Sequence, residues 1–296
     1  MSSSDTYDSD TATDERPSSQ PSRTKIQANF QIAHPPPKSS LRLAPKLLLQ
    51  IQQLAPNHRP LPVLEIWQPP FRKSKLTRDF VQRPKLRTGD IYATSNENYI
   101  INQSAMYKQP TKAEAGDANA PHKDIVAAMC QSSLSSGSCH SSDETPSASS
   151  SSIHFRDARS SWRASKGAMK TDKACYRFTL RDEEGKSDSR MIFQCEKRES
   201  VKDAGTDEEE FMLFLIDRTA RKKSRIATMS PGGLEILVRK SSILESLDIC
   251  MGLTGQLAAP GNGGEGHYAL ETWLYTQVLT FGVWVAQQEG WNGLNH

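Results

Sequence analysis

Two runs of cations carry the clearest chemical pattern in this chain. Segment Phe71–Arg87 (FRKSKLTRDFVQRPKLR) holds Arg72, Lys73, Lys75, Arg78, Arg83, Lys85 and Arg87 against one acid, Asp79, with Phe71 and Phe80 interleaved. Such a cluster creates a field that attracts phosphate, whether on a lipid headgroup or on nucleic acid. The aromatics between the charges could insert into lipid or stack on bases. A second run, RTARKKSR, sets Arg218, Arg221, Lys222, Lys223 and Arg225 within positions 218–225. For each run the plain alternative is a solvated connection between strands, and for the first a nuclear localisation signal is a third reading. Asp207–Glu210 (DEEE) precedes the second run and is expected to neutralise part of it.

Modification chemistry sits beside these charges. Ser224 follows Arg221-Lys222-Lys223, which suits a basophilic kinase, and Ser141-Ser142-Asp143-Glu144 suits an acid-directed one. A phosphate adds about −1.5 to −2 in charge and would compete with outside anions for the basic segments.

Catalytic patterns are weak by comparison. GxSxG, HExxH and P-loop spacings are absent from the sequence. Gly261-Asn262-Gly263-Gly264-Glu265-Gly266 has the form GxGxxG, but no strand precedes it as a dinucleotide site requires, so a loop is expected. Of the seven histidines, His58 and His267 are placed in loops beside the folded part. The five cysteines (Cys130, Cys139, Cys175, Cys195 and Cys250) contain no CxxC pair, which favours reduced thiols over a secreted disulfide framework. Cys130, Cys139 and His140 lack the paired spacing of a zinc site. No enzyme activity, metal or cofactor is expected.

The elements that must position the cations follow from composition and periodicity. Only 36% of the 296 residues are apolar, against about 45–50% in ordinary soluble domains. Ser, Pro and Asp concentrate in two stretches. Residues 1–44 read as a disordered acidic, Ser- and Pro-rich tail, and residues 103–172 as a disordered Ser-rich insertion, with 15 serines in the 34 positions from Ser132 to Ser165. Residues 45–102 and 173–296 then make one β-rich domain. The net charge of +3 hides a split: residues 46–110 carry 10 basic and 4 acidic side chains, and residues 173–217 carry 8 and 12.

Alternation predicts strands at Leu47–Leu54, Val63–Gln68, Asp90–Thr94, Tyr99–Asn102, Cys175–Arg181, Arg190–Lys197, Phe211–Asp217, Arg225–Thr228 and Leu234–Arg239. Ser230-Pro231-Gly232-Gly233 predicts a type II turn. A capping box at Ser242–Glu245 opens a helix to about Leu253. The final element, Tyr268–Gly290, has no charge from Thr272 through Gln288 and is apolar nearly all round. It is short for a membrane span, contains Thr and Gln and lacks basic flanks, so a buried core helix is expected and a transmembrane span is not. The polar N-terminus lacks the apolar core of a signal peptide.

A β-rich antiparallel series, 46–102 and 175–239, ending in an apolar helix, 270–290, resembles the superfamily of tubby C-terminal domains, LURP-one-like proteins and phospholipid scramblases. It is also similar to uncharacterised fungal proteins with a Ser-rich insertion. The first resemblance implies a closed barrel of about twelve strands around the helix. Tubby domains bind phosphoinositide headgroups through Lys and Arg on the barrel surface, and the resemblance implies that the two basic runs share that task.

The fold class expected is mainly β (α+β), an antiparallel β-barrel-like domain with a buried hydrophobic C-terminal helix plus long disordered segments. The function expected is a non-enzymatic intracellular binding domain of the cytoplasm or nucleus, with anionic membrane surfaces or phosphoinositides as partners. The alternative is a nuclear or cytosolic protein-interaction module regulated through phosphorylation of its disordered segments. Nucleic acid stays open as a partner of the basic runs.

Overall fold

The computed structural model describes residues 25–35, 45–56, 58–70, 76–78, 80–95, 125–131, 150–156, 158, 160–168, 174–181, 187–198, 209–239 and 265–291. Twelve strands follow one another: β1 (Lys25–Ala33), β2 (Lys46–Leu54), β3 (Leu61–Gln68), β4 (Ile91–Ser95), β5 (Ile125–Gln131), β6 (Ser150–Phe155), β7 (Ser161–Ala168), β8 (Ala174–Arg181), β9 (Ser187–Lys197), β10 (Phe211–Asp217), β11 (Lys222–Ser230) and β12 (Gly233–Arg239). Helix α1 spans Glu265–Gln288. Each strand pairs antiparallel with the next, and β1 closes on β12 from Lys25↔Arg239 to Gln31↔Gly233. Closure leaves no sheet edge along the paired residues.

The closed antiparallel barrel and the helix buried at its centre agree with the fold expected from the sequence. Eight strands enclose only enough room for their own side chains. Twelve enclose more, and an α-helix about 10–12 Å across fills the difference. Every residue from Gln277 through Ala286 is buried. Phe281 is the hub: its ring stacks on Phe178 at 4.3 Å and meets Trp162 (5.4 Å), Phe193 (5.2 Å) and Phe155 (6.3 Å). Trp284, 1% exposed, meets Tyr176 and Phe178 edge-on at 5.5 Å each. Trp273 is partly buried against the same core. The helix hydroxyl of Thr280 donates to the Thr276 carbonyl at 2.7 Å, so burial leaves it bonded. Gly282 lets α1 approach β12, since a Cβ there would stand 2.4 Å from Leu234 Cδ2. No helix among the described residues is long and apolar enough to cross a membrane.

Several boundaries differ from the sequence reading. The stretch 103–172 contains β5, β6 and β7, and the stretch 1–44 contains β1. Neither is therefore wholly a disordered segment, and the barrel has twelve strands where nine were expected. The reason is visible in β6 (SSSIHF): Ser151, Ile153 and Phe155 are buried while the residues between them are not. A strand whose outer face is serine reads as polar sequence, yet it keeps its inner face. In β7 the inner face is Trp162 and Ala164, and in β1 it includes Ala28 and Phe30. The β11–β12 turn forms at Pro231 and Gly232, but Gly232 does not take the left-handed conformation that a type II turn needs. Helix α1 begins at Glu265, so His267 lies in its first turn, not in a loop. His154 lies on β6, so it too belongs to the folded part. The expected strand Tyr99–Asn102 and helix Ser242–Leu253 lie outside the described residues.

Candidate anion-binding surfaces

Odd-numbered strands run one way along the barrel and even-numbered strands the other. The β3–β4 connection, which carries the first basic run, therefore leaves one end. The β10–β11 hairpin, which carries the second, leaves the opposite end. Around the circumference the two are separated by five strand steps one way and seven the other. The two runs thus leave the barrel at opposite ends and are described as separate surfaces.

The first surface is a flap that lies across the outside of the barrel. Phe80, Tyr92, Ile125 and Ala128 form a second, smaller core, with Trp67, Leu76 and Leu86 packed against it. Tyr92 and Ala128 lie on the outer faces of β4 and β5, so Phe80 (2% exposed) covers the barrel wall from outside. An inserting role for Phe80 is therefore lost. Asp90, 2% exposed, holds the return of the flap. Its Oδ2 accepts from the Arg87 amide at 2.5 Å and its Oδ1 from the Gln131 amide of β5 at 2.8 Å. Burial pushes the Asp90 carboxyl up, while those two amides and the Arg87 charge pull it down. The Thr77 hydroxyl donates to the Pro84 carbonyl and ties the two sides of the tip together. The amides of Phe80 and Arg83 donate to Thr77 and Phe80 carbonyls at 3.2 and 3.1 Å. Arg83 sits in the left-handed region with φ 43°, and Gly89 has φ 98°.

On this scaffold Arg78, Arg83, Lys85 and Arg87 are all exposed. Among the described residues no acid pairs with Arg78, Arg83 or Lys85. Arg72, Lys73 and Lys75, with Phe71, lie outside the described residues.

His154 on β6 holds the flap from its far side, its Nδ1 lying 2.6 Å from Gln82 Oε1. Burial lowers its pKa from the ordinary 6.5. The unfolded chain then takes up the proton at a higher pH than the folded one. The contribution is fully present above pH 6.5 and is lost as pH falls through the lower folded-state value. Between pH 7.5 and 5.5 the urea midpoint of the protein should fall more than that of His154→Asn. Equal slopes in the two proteins would show that His154 titrates as freely folded as unfolded.

The second surface is arranged differently. Arg218 lies in the turn with Arg221, at φ 51°, and Lys222, Lys223 and Arg225 open β11. Lys223 is already engaged: its Nζ lies 2.8 Å from Glu196 Oε1 on β9 and 4.0 Å above the Phe214 ring. Arg218, Arg221, Lys222 and Arg225 are exposed, without an acidic partner among the described residues. The expected neutralisation by Asp207–Glu210 does not occur through Glu209 or Glu210. Glu209 pairs with Lys197 at 2.5 Å and Glu210 with Arg198 at 2.6 Å, at the opposite end of β10 from the hairpin turn. Ser224 is half-buried within β11 and opposite Leu215, a strand position, not a free turn. Ser141 lies outside the described residues.

The thiols are placed apart. Cys195 points into the core with its Sγ 3.7 Å from Met229 Sδ, while Cys175, one strand away, belongs to the outer face. Burial pushes the Cys130 thiol up to about 12 and raises Cys175 and Cys195 as well. Protonated thiols of this kind are poor nucleophiles. No group of three or more His, Cys, Asp and Glu placed to hold a metal occurs among the described residues. The sequence shows the cations but not Asp90, Gln82 and His154, which hold the flap that carries them, nor Val81, which stands exposed among them. A lone valine inside a basic run was the one available signal. Comparison of the chain with protein-family models, with curated proteins and with solved structures gives no match.

Proposed function

We propose that this barrel is a non-enzymatic binding domain that recognises anionic lipid headgroups, phosphoinositides among them, through the β3–β4 flap. The observation that carries this reading is the flap itself. It presents Arg78, Arg83 and Lys85 exposed, without acidic partners among the described residues, on a platform fixed by Phe80 and Asp90. The flap backbone is already ordered, so an arriving anion has only the cation side chains left to order and more of the attraction is kept as affinity. The twelve-stranded barrel around a C-terminal helix supports a place among the tubby-like and scramblase-like barrels, and with it a cytoplasmic or nuclear location.

A second reading belongs to the other end. Arg218, Arg221, Lys222 and Arg225 form a separate basic face, which fits an acidic protein partner and the role of an interaction module.

Each cation near an anionic membrane contributes about 1 kcal/mol. Arg78→Ala, Arg83→Ala and Lys85→Ala together should therefore weaken binding to anionic vesicles by roughly 100-fold. Arg218→Ala with Arg221→Ala and Lys222→Ala should leave vesicle binding nearly intact. Vesicle co-sedimentation at low salt measures both. A protein that does not bind such vesicles at all ends the reading.

A further inference from the structure

We infer that the flap is a membrane-inserting tip, with Val81 as the residue that enters the acyl boundary, so that the ligand is a bilayer surface and not a soluble phosphate. The inference rests on the headgroup reading above and goes beyond it.

Among the described residues the exposed large hydrophobics are Leu54, 41% exposed, and Val81, 50% exposed. They differ in setting. Leu54 ends β2, at the end of the barrel opposite the one from which the β3–β4 connection leaves. Val81 stands between Arg78 and Arg83, with Lys85 and Arg87 beyond. An isolated exposed valine is ordinary. An exposed valine in a turn where Arg78, Arg83 and Lys85 outnumber the single acid Asp79 has the composition of an interfacial anchor, in which basic groups meet lipid phosphates while an apolar group passes below them.

The turn geometry gives Val81 its direction. Phe80 is driven into the outer core against Tyr92, Ile125 and Ala128. The next residue is turned away from the barrel. The Phe80–Arg83 backbone bond, the Thr77–Pro84 bond and the left-handed Arg83 hold that arrangement. The tip is built before it meets a membrane, so insertion does not have to order it. Val81 is not required by the fold, because half of it already faces water.

The test compares two ligands on the full chain. One is phosphatidylcholine vesicles carrying phosphatidylserine and phosphatidylinositol bisphosphate. The other is soluble inositol trisphosphate, measured by calorimetry. Val81→Ser should weaken vesicle binding several-fold, and Val81→Trp, which places an interfacial aromatic at the tip, should strengthen it about ten-fold. Neither should change the affinity for the soluble phosphate, and both should keep the thermal midpoint of the parent. Vesicle binding indifferent to both substitutions, yet lost in the Arg78, Arg83 and Lys85 triple variant, overturns insertion and leaves the headgroup reading standing. Parallel changes toward vesicles and soluble phosphate also overturn it, since they would place Val81 in the anion site itself. Failure of the parent protein to bind vesicles removes the headgroup reading first.

Discussion

Trp284→Ala is expected to cost about 3–5 kcal/mol, the range for truncating a large buried aromatic. The indole is 1% exposed and lies edge-on to two rings, Tyr176 and Phe178, both on β8. The cavity would open inside a closed wall whose strands are pinned by pairing on both sides, so the surroundings have little room to collapse into it. Against a total of about 5–15 kcal/mol for a domain, that loss leaves a large share of the protein unfolded at 37 °C. Trp284→Phe keeps part of the edge-on contacts and should recover much of the loss. Urea unfolding followed by circular dichroism reads both. A Trp284→Ala protein whose midpoint matches the parent would mean that α1 does not fill the barrel.

Removing residues 110–168 and joining the ends with a short Gly/Ser linker should abolish cooperative folding. The composition of the segment argues for a dispensable insertion. The strand order argues the reverse, because the deletion takes out β5, β6 and β7 and leaves β4 and β8 each without one of its two partners. It also strips Phe155 and Trp162 from Phe281 and opens the helix to water. The floor of the flap disappears with Ile125 and Ala128, and the Asp90 clamp loses the Gln131 amide. No thermal transition should remain above about 20 °C, and the product should aggregate through its open edges. A deletion protein melting within a few degrees of the parent would contradict the strand order itself.

The contrast between those two outcomes marks how far the sequence could be read. β10 (FMLFLID) and β12 (GLEILVR) are legible because large apolar residues alternate or run together. The last helix is legible because it is uncharged over a long stretch, and burial is the only way to keep such a surface from water. β5, β6 and β7 are hidden for a related reason. They line the wall with Ala127, Ser151 and Ala164 alongside a few large groups, so no run of large apolar residues marks them. The cations were legible as types but not as places. Whether Phe80 points to lipid or to protein depends on what covers Tyr92 and Ala128, residues 12 and 48 positions away. Periodicity within one segment carries no such information. The separation of the two basic runs follows from strand parity, which requires the full strand count that the Ser-rich strands conceal.

The manner of closure also constrains how the chain acquires its structure. β1 waits for β12, more than two hundred residues later, and all twelve strands wait for α1 to supply their interior. Pairing at such separation is paid for in chain entropy before any contact returns it, and topologies of this kind fold slowly. Until residues 273–286 have been synthesised, the inward faces of the strands, including Phe178, Phe193, Phe211 and Ile236, have nothing to face but water or one another. The nascent chain therefore passes through a long interval with sticky strands on display, and its production in cells should depend on holdase chaperones and on low translation temperature more than its final stability would suggest.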